Sequence, residues 1–296
     1  MLINVSTSAG RSHPGKSRAD NQDQFLVADL HRSMTIHSSS LPVDDETQLY
    51  SGATGQLLVV ADGISGGPAA EVASQIGVGT IARYVLNTMD WFLSLNHDHD
   101  DDQVEELLAA LLEVESSIEE QAAANQEYAG MGTTLTMAYV VWPRLYVVNV
   151  GDSRCYLLRD GLEQLTHDQT VAQGLVDRGT LTADQASRSP LSNILISSVG
   201  LGLSSFHPDV YKVELESGDR VLVCSDGLTA QVDDGVITEI LAGADTPDRA
   251  CQGLVNAANA AGGADNVTVA VSFCREPVER PGGTHQPGTE AAPGAH

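Results

Sequence analysis

The stretch from Leu57 to Gly67 reads LLVVADGISGG, and Pro68 follows it. Five apolar residues in a row, Leu57 to Ala61, predict a buried strand. Asp62 stands where that strand ends, Gly63 comes next, and Pro68 opens a helical pattern at a position that a first helical turn tolerates. A carboxylate at a strand end is held rigidly yet faces the rim of the sheet, which suits a metal ligand. A glycine beside it lets the backbone approach an ion with no Cβ in the way. Taken alone, the stretch also reads as a strand-to-helix turn in which Asp62 only caps. Two more places speak against that reading: Asp226-Gly227 also follows an apolar strand, and Asp265-Asn266 precedes one.

Upstream, Asn4 to Leu30 carries the polar segment HPGKSRADNQDQF, which contains Arg18, before a short apolar stretch at Phe25 to Ala28. His31 to Gly55 is Ser-rich and weakly patterned, and is expected to be a loop insertion. Downstream of Pro68, apolar residues at helical spacing predict a long amphipathic helix. It ends at NHDHDDD, where His97 and His99 among acids read as a solvated loop rather than a metal cluster. A second helix is expected from Gln103 to about Gln126, with Leu107, Leu108, Leu111, Leu112, Val114 and Ile118 on its apolar face. From Gly130 the period becomes strand-like. Tight turns at Trp142-Pro143, Gly151-Asp152 and Asp160-Gly161 make these strands antiparallel. A polar excursion spans Asp168 to Ser198, with Asp168 as a helix N-cap. Strands resume at Val210–Leu215 and Arg220–Cys224, helices follow near Val232–Ala242 and Pro247–Ala261, and a last strand follows Asn266. Thr133 and Thr134 are read as core-strand residues.

The chain has 296 residues, 42% of them apolar, enough for one sizeable core domain over residues 1–275. Residues 276–296 are rich in Pro, Gly and Ala and are expected to be a disordered tail. Fifteen Lys and Arg against forty Asp and Glu give a net charge of −25, which argues against nucleic acid or an anionic membrane as partner. The four cysteines, Cys155, Cys224, Cys251 and Cys274, lack CxxC spacing, so neither a zinc site nor a disulfide framework is expected. No signal-peptide pattern opens the sequence and no apolar run is long enough to span a bilayer, so the expected location is cytoplasmic and the Asn4 and Asn266 sequons carry no glycosylation meaning.

Carboxylates at several strand ends on one rim make an all-oxygen site, which selects Mg²⁺ or Mn²⁺ over zinc or copper. Arg18 adds a planar fork that matches phosphate oxygens. Together these point to metal-assisted attack on a phosphate ester.

Seven segments in order, RADNQD (18–23), VVADGISGG (59–67), GTTL (132–135), NVGDSRCYLLRDG (149–161), LTHDQT (165–170), VLVCSDGL (221–228) and GGADNVTV (262–269), resemble the metal-dependent protein phosphatases of the PPM or PP2C family, bacterial type. The resemblance covers roughly residues 5–274. It implies an α/β (α+β) four-layer αββα sandwich, two antiparallel sheets flanked by helices with metals at one end. By this resemblance Asp62 bridges two Mn²⁺ or Mg²⁺ ions, Gly63 offers its carbonyl to one, and Asp226 and Asp265 hold the other. Arg18 clamps the substrate phosphate. Asp152 resembles a ligand of a third ion found in bacterial relatives, and as a single residue it also reads as a plain turn aspartate. The implied chemistry is in-line attack by a metal-activated water, with no phospho-enzyme and no catalytic cysteine.

The implied substrate is a phosphoserine or phosphothreonine protein, with a cognate Ser/Thr kinase and a monomeric enzyme. Two other readings stay open: a pseudophosphatase acting as a binding or sensory module, and a phosphatase for small phosphate esters. Two positions depart from the family pattern. Gln22 stands where many members have an acid, and Ile64 stands where eukaryotic relatives have a histidine proposed to protonate the leaving group.

Overall fold

The computed structural model describes residues 2–3, 6–36, 47–64, 67–88 and 100–279. In chain order its strands are β1 (Leu2–Ile3), β2 (Thr7–His13), β3 (Asp23–Ile36), β4 (Thr47–Ile64), β5 (Gly132–Thr133), β6 (Leu135–Val141), β7 (Arg144–Val150), β8 (Arg154–Leu158), β9 (Leu162–Gln164), β10 (Asp209–Glu214), β11 (Arg220–Cys224), β12 (Val267–Phe273) and β13 (Val278–Glu279). The helices are α1 (Pro68–Asn87), α2 (Asp100–Ala124), α3 (Val171–Asp177), α4 (Ala183–Ser187), α5 (Asp226–Thr229), α6 (Asp234–Gly243) and α7 (Pro247–Ala260).

Two antiparallel sheets face each other. One runs β10-β7-β6-β4-β3 with β5 attached to β4, and the other runs β2-β12-β11-β8-β9. Successive side chains of a strand point to opposite faces, and here both faces are covered. Leu57 and Val59 of β4 pack with Ile81 of α1 and Leu107, Leu111 and Val114 of α2. Leu58 and Val60 point the other way and meet Cys155, Leu157, Val221, Val223, Ala270 and Cys274 in the layer between the sheets. On the far side Leu222, Cys224, Val269 and Val271 pack under Ile237, Leu241, Cys251 and Leu254 of α6 and α7. Burial on both faces explains why the central strands read as unbroken apolar runs instead of alternating ones. The result is the expected helix–sheet–sheet–helix sandwich.

Several local expectations change. The segment from His31 to Gly55, expected to be a loop, is largely strand: β3 and β4 stay paired out to Ile36↔Thr47, with one register shift between His31 and Ser33, and residues 37–46 lie outside the described set. β4 pairs with β6 only from Gln56 to Val60, so its earlier residues form a two-stranded ribbon with β3 alone. His97 and His99 also lie outside the described residues, while the acids that follow them open α2 at Asp100. On α2 the buried stripe is Leu107, Leu111, Val114 and Ile118, and Leu112 turns outward, 48% exposed. Thr170, not Asp168, caps α3 by accepting from the Gln173 amide. Asp168 instead binds Arg154 through both oxygens, at 2.8 and 2.7 Å. At the C-terminal side, Val278–Glu279 pair with Leu2–Ile3, so the first residues of the expected tail form a strand, and residues 280–296 lie outside the described set.

Two glycines decide how closely the layers approach at the functional end. A Cβ on Gly227 would stand 1.8 Å from the Asn266 carbonyl oxygen, and one on Gly63 would stand 2.2 Å from that of Ala70. Glycine at 227 therefore lets α5 abut the start of β12, and glycine at 63 admits the first turn of α1. Gly227→Ala should lower the melting temperature by an amount equivalent to about 2–4 kcal/mol, because backbone is the obstacle and must move. Gly161→Ala, with no atom within 4 Å of the added carbon, should stay within about 0.5 kcal/mol of wild type. Equal melting temperatures for the two variants would mean that the 227–266 contact is not tight in solution.

Candidate active site

The strand ends gather the acids. β3 begins at Asp23 and β4 reaches Asp62, and the two are direct partners in the antiparallel register. Like charges directly opposite on neighbouring strands repel. β11 ends at Cys224, so Ser225-Asp226 follows, while Asp265-Asn266 leads into β12 and Gly151-Asp152 follows β7. Asp62 feels the charges of Asp23, Asp226, Asp152 and Asp265, which places all five carboxylates in one cluster. The residues expected at the site are thus brought together, and Asp23 joins them without having been singled out.

Four of these carboxyls, Asp23, Asp62, Asp152 and Asp226, are pushed above the usual carboxylate range. Burial is the largest cause for Asp62, followed by repulsion from Asp23; the shift is well upward. Burial likewise raises Asp23 to about 6 and Asp152 to about 8, and it raises Asp226, with Asp265 adding repulsion. Asp62, Asp152, Asp226 and Asp265 nevertheless keep a partly exposed edge. Their half-buried state leaves part of each carboxyl within reach of solvent.

Hydrogen bonds hold the backbone of the cluster. The Asp62 carbonyl accepts from the Thr134 amide and the Thr133 hydroxyl, both at 2.8 Å, and the Asp62 amide donates to Thr134 Oγ1 at 3.1 Å. Ser225 Oγ donates to Asp23 Oδ2 at 2.8 Å and accepts from the Thr268 amide at 3.0 Å. Gly151 donates to Gln169 Oε1 at 2.7 Å and so fixes the turn that carries Asp152.

Asn266 is the residue whose part the sequence concealed. Its Nδ2 donates to the carbonyls of Pro14 and Asp20, at 3.0 and 2.9 Å, and its Oδ1 accepts from the Gln22 amide at 2.8 Å. It therefore fastens both ends of the polar N-terminal segment to the site. Between those ends Gly15 takes a positive φ of 78° and crosses directly over the Asp265 carbonyl. Arg18 is delivered to Asp265, with Nη2 to Oδ2 at 2.7 Å, and its side chain remains 52% exposed. Gln22 reaches Gly67 O with its amide at 3.2 Å, so it steadies the entry to α1 instead of serving as an acid.

Among the described residues, no three His, Cys, Asp or Glu side chains already converge as a finished metal cage, and Arg18 engages one oxygen of Asp265. The donor chemistry still fits hard divalent cations: the cluster is all-oxygen, mutually repelling and partly open, and buried Asp23 Oδ1 has no hydrogen-bond partner. A separate cleft, between Arg144 and Lys212, lies at the opposite end of β7 from Asp152.

Carboxyls raised in the folded chain bind more protons there than in the unfolded chain. Their contribution to stability is complete below about pH 4, the unfolded value, and is lost as pH rises through about 6 for Asp23 and about 8 for Asp152. Chelator-treated protein should therefore melt at a falling temperature between about pH 5 and 8, and Mn²⁺ should reverse the loss by offsetting the repulsion. Asp62→Asn should melt higher than wild type without metal at pH 8 and gain less from Mn²⁺. A flat pH profile for the chelated wild type would show that the carboxylates do not repel as placed.

Comparison with known proteins agrees with this geometry. A family model described as Protein phosphatase 2C matches residues 35–252. Serine/threonine protein phosphatase PstP of Mycobacterium tuberculosis is 38% identical over 234 residues, covering 77% of this chain and 42% of PstP. Protein phosphatase PhpP of Streptococcus pneumoniae is 34% identical over 223 residues, covering 74% of this chain and 86% of PhpP. The chain thus spans less than half the length of its mycobacterial relative. The crystal structure of the M. tuberculosis phosphatase PstP/Ppp superposes with a TM-score of 0.73 at 31% identity, over 93% of this chain and 100% of that one. The PstP catalytic domain in complex with two manganese ions gives 0.71 at 32% identity, over 93% and 100%. The chain belongs to the protein phosphatase 2C family.

Proposed function

We propose that the chain is a metal-dependent phosphatase that removes phosphate from phosphoserine and phosphothreonine residues of proteins. The observation that carries this reading is the convergence of Asp23, Asp62, Asp152, Asp226 and Asp265 in one cluster beside Arg18. Asp62, the Gly63 carbonyl, Asp226 and Asp265 would hold two Mn²⁺ or Mg²⁺ ions, and Asp152 a third. The two manganese ions held by the PstP catalytic domain support this assignment. Bound there, such ions would supply Lewis acidity and lower the pKa of water for attack at phosphorus.

The chain's own residues do the rest. Arg18 presents a half-exposed guanidinium beside the cluster, where two parallel N–H groups can grip phosphoryl oxygens. Thr133 and Thr134 keep the Asp62 peptide fixed. Asn266 keeps the Arg18 segment in register with Asp265. Ile64 carries no proton to give, so protonation of the leaving oxygen falls to another group or to water.

The substrate is read as the product of a Ser/Thr kinase, the enzyme as a monomer, and the setting as cytoplasmic, where thiols stay reduced, which suits the four buried free cysteines. Among the described residues no helix is long and apolar enough to cross a membrane.

Hydrolysis of phosphothreonine peptides should require Mn²⁺ or Mg²⁺, cease with chelator and return with metal. Asp62→Asn should be nearly inactive. Turnover that persists after exhaustive chelation would refute the metal mechanism, and metal binding without turnover of any ester would favour a pseudophosphatase. Arg18→Ala should raise KM about tenfold or more with a smaller change in kcat, because a clamp grips ground and transition states alike. Loss confined to kcat would mean that Arg18 acts in the transition state. Across aryl and alkyl phosphates kcat should rise as the leaving-group pKa falls, since a positioned acid worth about 10²–10⁴-fold is missing at Ile64. A flat series with chemistry rate-limiting would show that another residue supplies the proton.

A further inference from the structure

Resting on the phosphatase reading above, we propose that the groove beside Ile64 is a subsite for apolar side chains flanking the phosphorylated residue of a substrate polypeptide. The groove has a volume of about 310 Å³ and is walled by Ile64, Ile194, Leu195, Ile196 and Leu201 over a serine-lined floor. Seven large apolar side chains are exposed among the described residues, and three of them meet here: Ile194 at 48%, Ile196 at 52% and Leu201 at 41%. Exposed apolar side chains scattered singly need no explanation, but a cluster of them marks a contact surface.

Position identifies the occupant. Ile64 lies two residues beyond Asp62 on the same strand, so the groove is within reach of the residues next to a phosphoryl group held over the carboxylates. Charge narrows the class. The chain carries a net charge of −25, yet among the described residues no charged side chain lines the groove. A lysine or arginine flank would find no carboxylate partner there, whereas an apolar flank would find apolar walls.

The wall is held in shape before substrate arrives. Val199 and Thr133 exchange two backbone hydrogen bonds of 2.9 Å, which joins the strap 199–202 to the splint that grips the Asp62 carbonyl. Buried Glu115 of α2 accepts the amides of Gly200 at 2.5 Å and Gly202 at 2.9 Å, on either side of Leu201. Both glycines have positive φ, 94° and 92°, and a Cβ on Gly200 would strike Ile118 of α2. A preorganised wall loses little entropy on binding.

Two phosphothreonine peptides that differ only in their flanks, leucine on both sides in one and lysine on both sides in the other, test the subsite. kcat/KM is measured for each with Mn²⁺-loaded wild type, Ile196→Asp and Leu201→Asp. Both altered side chains are exposed, so the fold should bear the changes. Wild type should prefer the leucine peptide by about tenfold, the scale of burying part of a leucine side chain. Either variant should bring the ratio to within about twofold. Equal rates on the two peptides with wild type would overturn the subsite and leave the phosphatase reading intact, as would a preference that survives both substitutions. No hydrolysis of any phosphate ester would overturn both. Concentration-dependent dimerisation in sedimentation, abolished by Ile196→Asp, would reassign the groove to a second copy of the chain and also overturn the proposal.

Discussion

Carboxylates crowded at strand ends repel one another, and the structure at this end of the sandwich is arranged to keep them crowded. Asp23 and Asp62 face each other across an antiparallel pair, and the chain contributes Asp152, Asp226 and Asp265 to the same cluster. Burial and repulsion both disfavour the charged forms. An arrangement that opposes folding and is retained nonetheless has the character of a functional site, where local instability is offset by cores elsewhere. Here the offset comes from three apolar layers, two under helices and one between the sheets.

The restraint acts on backbone more than on side chains. Thr133 and Thr134 hold the Asp62 peptide, Gly227 lets α5 touch the start of β12, and Asn266 ties residues 14–22 to the same place. Carboxylate side chains can then respond to a cation or substrate while their Cα positions stay fixed. Arg18 reaches the cluster on this tether and is met by Asp265, so the guanidinium stands close to its place without the support of a helix or strand.

Much of this was legible in the residues. Asp-Gly pairs after two apolar runs and an Asp-Asn pair before a third located three of the strand ends, and the seven ordered motifs carried the layer architecture. What was not legible depended on partners distant in sequence. The tethering part of Asn266 stayed hidden because its bonds go to positions about 250 residues away. Asp23 gains its place from the register with β4. Glu115 interrupts a leucine stripe and could not be assigned to the inside without the glycine amides it receives. The β3–β4 ribbon stayed hidden because backbone pairing alone leaves no period in composition. Gly63 also makes room for the first turn of α1, a demand set by Ala70 that the strand-end pattern does not disclose.

The distribution of the four thiols sets how opening of the molecule can be observed. Cys155 and Cys274 lie between the sheets, and Cys224 of β11 and Cys251 of α7 lie in the layer between the second sheet and its helices. Burial pushes Cys224, Cys251 and Cys274 up to about 12 and Cys155 higher, so none offers a reactive thiolate at neutral pH while the fold is closed. Modification by an alkylating reagent thus waits on local or global opening, and the order in which thiols are labelled reports which layer parts first. The layer under α1 and α2 holds no cysteine, and a fluctuation confined to it would leave all four sulfurs silent.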